Sequence, residues 1–226
     1  MNGLILLDKP GGITSFSAVN AIKRLIGEKR VGHTGTLDPE ATGVLPVLFG
    51  RATALSSLLL DADKKYIAEV KLGITTDSED ITGNVLTEQE VFVTEDMLDG
   101  VLQKFCGKLM QKPPMYSALK KDGVRLYELA RQGKEIELPA REITVFEVRK
   151  LAELNEENIF KIEIHCSKGT YIRSLARDIG EALGCGATLY SLHRTYAGGF
   201  NIDKCVSLQS LTNENVAEYF LPEELA

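Results

Sequence analysis

Twice in this chain polar and apolar residues alternate without a break. Tyr66, Ala68, Val70 and Leu72 stand against Ile67, Glu69 and Lys71, and Phe160, Ile162, Ile164 and Cys166 against Lys161, Glu163 and His165. A period of two is the signature of a β-strand with one buried face. Elsewhere the period is helical. Phe16, Val19, Ile22 and Leu25 or Ile26 recur after a cap at Thr14 or Ser15. Ile172, Leu175, Ala176, Ile179, Ala182 and Leu183 recur between a cap at Thr170 and a stop at Gly184. Residues Leu4 to Leu7 form a short apolar run that ends at Lys9-Pro10-Gly11-Gly12, a buried strand closed by a turn. Strands outnumber long helices and do not alternate regularly with them, so the pattern predicts an α+β fold with a mixed sheet rather than a doubly wound one.

Composition narrows the function classes. With 226 residues, 44% hydrophobic and 26% charged, the chain can bury one substantial core, and we expect a single domain. Lys and Arg number 26 against 32 Asp and Glu, a net charge of −6, which argues against coating DNA or an anionic membrane by bulk attraction. No stretch reaches the roughly 18 apolar residues of a membrane span, and no signal peptide opens the chain, so a cytoplasmic protein is expected. The four cysteines lack a C-x-x-C pair and there are three histidines, which reads as free buried thiols without a metal site.

Charge is unevenly spread. From Asp77 to Asp99 eight acidic residues meet no basic one, whereas from Lys104 to Lys134 eight basic residues face only Asp122 and Glu128. That reversal points to a polyanionic partner met locally. Residues 112–139, bounded by Pro113-Pro114 and Pro139, read as a long excursion from the sheet, and excursions of that size are usually functional.

The densest chemistry lies in GHTGTLDPEATGVLP, residues 32–46. Its glycines permit tight turns, and Pro39 drives Asp38 toward extended backbone, so a carboxylate is held outward on a stiff base. The loop lacks the Lys-Ser/Thr pair of a phosphate-binding P-loop, and Gly184-Cys185-Gly186 lacks the third glycine of a dinucleotide fingerprint, so no nucleotide cofactor is expected. By pattern alone, Asp38-Pro39 is a turn, Tyr66 and Leu192 are core residues, His33 is a loop residue and Arg173 is a solvent-facing residue in a first helical turn.

Together with GLILLDKPGGITS, DADKKYIAEVKLG, PPMYSALKKDGVRLYELARQG and HCSKGTYIRSLARDIG, the loop resembles the bacterial tRNA pseudouridine synthase B family in five motifs, in order, from about Gly3 to about Leu208. The resemblance implies the pseudouridine synthase catalytic fold: a mixed, largely antiparallel central sheet flanked by helices, with an RNA-binding cleft. It implies isomerisation of the T-loop uridine, position 55 in the tRNA convention, by a monomer without metal or organic cofactor, the base being flipped out of its stack. Asp38 becomes the nucleophile or charge stabiliser at the sugar, Arg173 its ion-pair partner, and Tyr66 the aromatic on the target base. Tyr171 and Leu192 line the same pocket, and His33 stacks among the displaced nucleotides. Lys120, Lys121, Arg125 and Arg131 meet RNA phosphates from the excursion, which closes on the stem-loop. Many members continue into a small RNA-binding module of the PUA type, which this sequence is expected to lack. Two other readings are a non-catalytic tRNA-binding or tRNA-folding protein and a carboxylate glycosidase using Glu40 as second acid.

Overall fold

A computed structural model describes residues 1–117, 120–121, 124–126, 136 and 138–222. In chain order the strands are β1 (Gly3–Lys9), β2 (Val31–His33), β3 (Thr42–Phe49), β4 (Lys64–Leu72), β5 (Ile74–Thr76), β6 (Val85–Glu88), β7 (Gly107–Gln111), β8 (Lys120–Lys121), β9 (Val124–Arg125), β10 (Arg141–Ala152), β11 (Ile159–Cys166), β12 (Ala187–Ala197), β13 (Phe200–Asn201) and β14 (Val206–Ser207). The described α-helices are α1 (Ser15–Ile26), α2 (Ser56–Asp61), α3 (Glu95–Lys104) and α4 (Ile172–Leu183). Contacts divide the chain into two compact units, Met1–Ile67 with Leu192–Ala226, and Ala68–Ser191. Both divisions fall inside strands, β4 and β12.

In the first unit, β1 runs antiparallel to β3 in unbroken register from Gly3↔Phe49 to Lys9↔Gly43 and parallel to β14 on its other side. Strand β2 adds antiparallel to β3, β13 antiparallel to β12, and β12 meets β3 in parallel at His193↔Thr42 and Arg194↔Gly43. Strand β1 is apolar without alternation because both its faces are covered. Ile5 and Leu7 pack with Leu45, Val47, Phe49 and the α1 residues Ala18, Val19, Ile22 and Ile26. Leu4 and Leu6 pack on the other face with Val44, Leu48, Leu59, Ala197 and Phe200.

Helix α1 opens as the sequence predicts. The Thr14 hydroxyl accepts from Ser17 N–H at 3.0 Å, and Gly27 closes the helix at φ 65°. Its buried face matches the expectation at Val19, Ile22 and Ile26 but not at Phe16, which is 71% exposed, Ser15 being buried instead. The inward position is taken by Ser15 because its hydroxyl has a buried backbone partner, described below.

The second unit holds β4 from Ala68 onward, with β11, β10 and β7 following side by side in that order, and antiparallel register between β11 and β10 and between β10 and β7. Both alternating stretches are strands with alternating burial. Helix α4 buries Ile172, Leu175, Ala176 and Ile179, while Ala182 is exposed and Leu183 half-buried, so the apolar face stops a turn earlier than the sequence suggests. Gly184 ends the helix at φ 79°. Its start differs too: Tyr171 is the capping position, and the Thr170 hydroxyl instead donates to the Ser167 carbonyl at 3.0 Å, closing the turn ahead of the helix. All four thiols are free; Cys166 and Cys185 are buried and Cys205 is half-buried, but Cys106, just after α3, is exposed, contrary to expectation. Burial pushes the Cys205 thiol up to about 12, with Asp8 and Asp203 adding to the shift. Among the described residues no helix is long and apolar enough to cross a membrane.

Candidate active site

Strand β2 ends at His33 and β3 begins at Thr42, and the loop between them carries Asp38. Buried polar side chains fix that loop from three directions. The hydroxyl of Ser15 donates to Leu37 O at 3.0 Å and accepts from Leu37 N–H at 2.9 Å, so both backbone groups of the residue before Asp38 are held by the first residue of α1. On the far side of Asp38, the Lys9 ammonium donates to Pro39 O at 2.9 Å and to Pro10 O at 2.7 Å. Arg194, 1% exposed, donates to Gly35 O at 3.0 Å and Val44 O at 2.8 Å, spanning the loop from end to end. Gly43 makes the close approach possible. Its φ is 102°, and a Cβ there would sit 2.2 Å from the Arg194 carbonyl oxygen.

These groups also set the local electrostatics. Lys9 has no exposed surface, and burial pushes its ammonium down to about 8, the carboxylates of Glu40 and Asp38 opposing the shift and Arg194 adding to it. Burial, reinforced by Arg194, lowers the pKa of His33, favouring the neutral imidazole. The His33 Nδ1 atom is buried with no hydrogen-bond partner among the described residues. Tyr66 is 8% exposed on the buried side of β4. Leu192 is half-buried, and its neighbour His193 is joined through Nδ1 to the Thr42 hydroxyl at 2.8 Å. Asp38, His33, Tyr66 and Leu192 therefore all belong to the first unit.

Arg173 and Tyr171 belong to the second unit, at the entrance to α4. Arg173 is 5% exposed, not the solvent-facing residue that pattern alone suggests. Its guanidinium donates to Ser78 O at 3.0 Å and Tyr116 O at 2.8 Å and lies 3.7 Å from the Asp80 carboxylate. A buried cation at a helix N-terminus is opposed by the macrodipole and by desolvation, and these carbonyls and the carboxylate answer both. Asp80 is itself shaped by its turn: Oδ1 accepts from Ser78 Oγ at 2.9 Å, Thr82 N–H at 3.0 Å and Thr82 Oγ1 at 2.6 Å. The side-chain amide of Gln111, 3% exposed, accepts from Tyr171 N–H at 2.8 Å and donates to Tyr171 O at 3.0 Å, as a strand neighbour would.

Ser15, Lys9, Arg194, Gln111 and Asp80 escaped the sequence reading. Lys9 alone carried a local hint, a charge between a buried strand and Pro10. Of the expected phosphate contacts, Arg131 lies outside the described residues. For Lys120, Lys121 and Arg125 the backbone alone is described, as the β8–β9 pairing Lys120↔Arg125 and Lys121↔Val124.

Comparison with known proteins gives a consistent result. The family model described as "TruB family pseudouridylate synthase (N terminal domain)" matches residues 23–172, and "tRNA pseudouridylate synthase B C-terminal domain" matches residues 173–225. A protein of Azoarcus sp. (strain BH72) named tRNA pseudouridine synthase B is 52% identical over 211 residues, 93% of this chain and 70% of that protein. One of the same name from Tolumonas auensis is 47% identical over 239 residues, covering 100% of this chain and 73% of that one. Among solved structures, "Crystal Structure of a Cbf5-Nop10-Gar1 Complex" matches with a TM-score of 0.76 at 32% identity, over 98% of this chain and 60% of that chain. "Structure of H/ACA RNP bound to a substrate RNA containing 2'-deoxyuridine" matches with a TM-score of 0.73 at 30% identity, over 98% and 59%.

Proposed function

The chain belongs to the TruB family of pseudouridylate synthases and its reaction is the isomerisation of uridine to pseudouridine in tRNA; on that premise we propose that the target is the T-loop uridine at position 55 and that Asp38 is the nucleophile. In this reaction the C1′–N1 bond breaks, the base turns, and a C5–C1′ bond forms. The C5 hydrogen leaves as a proton and N1 gains one, so the balance closes without oxidant, reductant or cofactor. A carboxylate at the sugar meets the developing positive charge or forms the transient covalent bond. The observation that carries the assignment is the clamping of the Asp38 loop by Ser15, Lys9 and Arg194, which pre-organises one carboxylate.

An RNA closing over Asp38 would raise its pKa by excluding water, and Arg173 supplies the counter-charge that keeps it ionised. Tyr66 and Leu192 bear on the uracil, and Tyr171 completes the pocket. His33 enters the stack vacated by the flipped nucleotide, a reading supported by its buried Nδ1, which has no hydrogen-bond partner among the described residues. Residues 112–139 form the arm that closes on the T stem-loop, with Lys120, Lys121, Arg125 and Arg131 on phosphates. The enzyme acts as a monomer in the cytoplasm, where its substrate is, and residues 1–226 serve as the catalytic domain.

A tRNA transcript tritiated at uracil C5 tests the assignment. We expect tritium release with no base lost from the RNA, abolished in Asp38→Asn with tRNA binding largely kept. Release that survives this substitution overturns Asp38 as nucleophile. Bound tRNA with all tritium retained by the unaltered protein would favour the non-catalytic reading.

A further inference from the structure

The turn from Asp77 to Asn84 is internally fastened, Asp77 N–H donating to Asn84 O at 3.1 Å and the Asp77 carboxylate accepting from Asn84 N–H and its side-chain amide, both at 2.9 Å. Within it, Glu79 is anomalous in two ways. Its φ is 63°, a left-handed conformation that residues with a Cβ avoid and where glycine would be at ease. Its side chain is only 13% exposed in spite of its charge. Both oxygens are engaged by α4: Oε2 accepts from Ser174 Oγ at 2.6 Å, and Oε1 accepts from an Arg177 terminal nitrogen. The residues on either side of Glu79 are the part of the turn that meets Arg173, through the Ser78 carbonyl and the Asp80 carboxylate. Ser174, fully buried, is the residue after Arg173.

We propose that Glu79 is a positioning residue for the isomerisation: its carboxylate fastens the 77–84 turn to α4, so that Ser78 and Asp80 hold the Arg173 guanidinium in register. This rests on Arg173 being the cation that serves the reaction. The strained backbone at Glu79 is then the cost of putting a carboxylate where Ser174 and Arg177 are both within reach. Arg177 is fixed in turn by Asp178 at 2.7 Å and lies 3.8 Å from Glu181, so the clamp ends on a side chain that cannot swing freely.

Burial holds the Glu79 carboxyl above the usual carboxylate range against the pull of Arg177, Ser174 and Arg173. The charged groups around the clamp are Arg177, Arg173, Asp80, Asp178 and Glu181. Acidification therefore reaches Glu79 before an ordinary glutamate and loosens the Arg177 contact.

Single-turnover isomerisation of C5-tritiated tRNA, tRNA affinity by filter binding and thermal melting are measured for Glu79→Gln and Glu79→Gly. Glutamine keeps an acceptor for Ser174 but loses the charge; glycine relaxes the backbone and removes the clamp. We expect both to melt close to the unaltered enzyme and bind tRNA within about twofold, while turnover falls about ten- to a hundredfold, the scale of a displacement of roughly an ångström in a catalytic constellation. In Glu79→Gln the acid limb of the pH–rate profile should shift to lower pH. Turnover at the unaltered level in both variants, or a rate that falls only in parallel with tRNA affinity, overturns the proposal. Arg173→Lys is the control on the premise. If it turns over normally, the reading of Arg173 has failed; if it is slow while both Glu79 variants are not, the clamp alone has failed.

Discussion

Lys9 places a charge inside the first unit, and the sign of its effect on stability follows from its pKa. Folded, the ammonium is pushed down to about 8 from 10.5, so between those values the unfolded chain holds a proton that the folded chain has released. Stability rises with pH through that window, and below it the cost of burying the cation is fully present, about 3 kcal/mol at roughly 1.4 kcal/mol per pKa unit. Urea unfolding of the unaltered protein and of Lys9→Met, at pH 7.5 and at pH 10, should show the rise in the first and its absence in the second. A parallel pH dependence in both would refute the assignment. Residues such as Lys9 mark where sequence reading ran short. Asp38 stood out because its loop is dense in glycine and proline, whereas His33 stood out only through the family resemblance. Ser15 and Gln111 did not, because their partners Leu37 and Tyr171 lie 22 and 60 residues away and leave no local pattern.

At the scale of elements, period was a dependable guide where one face is buried and failed where polar pairing intervened. Strands β4 and β11 were legible residue by residue, and α1 and α4 in extent. Phe16 and Thr170 were misread, in each case because a hydroxyl was bonded to backbone: Ser15 took the inward position from Phe16, and Thr170 closed a turn rather than capping a helix. Strand β10 hid its own alternation, since its pairing with β11 shifts register between Val145 and Glu147 and between Lys150 and Ala152. The junction of β3 with β12 admits a direct check. Gly43→Ala would drive a methyl group into the Arg194 carbonyl at a positive φ, and we expect a loss of more than about 2 kcal/mol in denaturant unfolding, from backbone strain and overlap together. A loss below 0.5 kcal/mol, the size of a surface substitution, would show that the parallel bridge at Arg194↔Gly43 is not as described.

Over the whole molecule, net charge misleads. The chain carries −6, yet eight of its 32 acidic residues fall in Asp77–Asp99, a stretch without a basic residue, and some of that charge is spent internally, Glu95 and Asp99 both pairing with Lys150 at 2.5 and 2.7 Å. If Lys120, Lys121, Arg125 and Arg131 neutralise phosphates, each adds about 0.7–0.9 to the slope of log affinity against log salt. Replacing all four by alanine should flatten that slope by about 3 in filter binding with tRNA; an unchanged slope would remove the arm from the interface. The division into two compact units could not be read from composition, for it falls within β4 and β12, and a continuous strand bears no linker signature.

The uneven exposure of the four thiols offers an experimental handle. Cys166 and Cys185 are buried, Cys205 stays protonated until about pH 12, and Cys106 is open to solvent immediately before β7, the strand that leads into residues 112–139. A maleimide dye added to the unaltered protein at neutral pH should therefore attach at Cys106 alone. The fluorophore would then sit at the root of the basic arm, ready to report in real time when tRNA arrives and when it leaves.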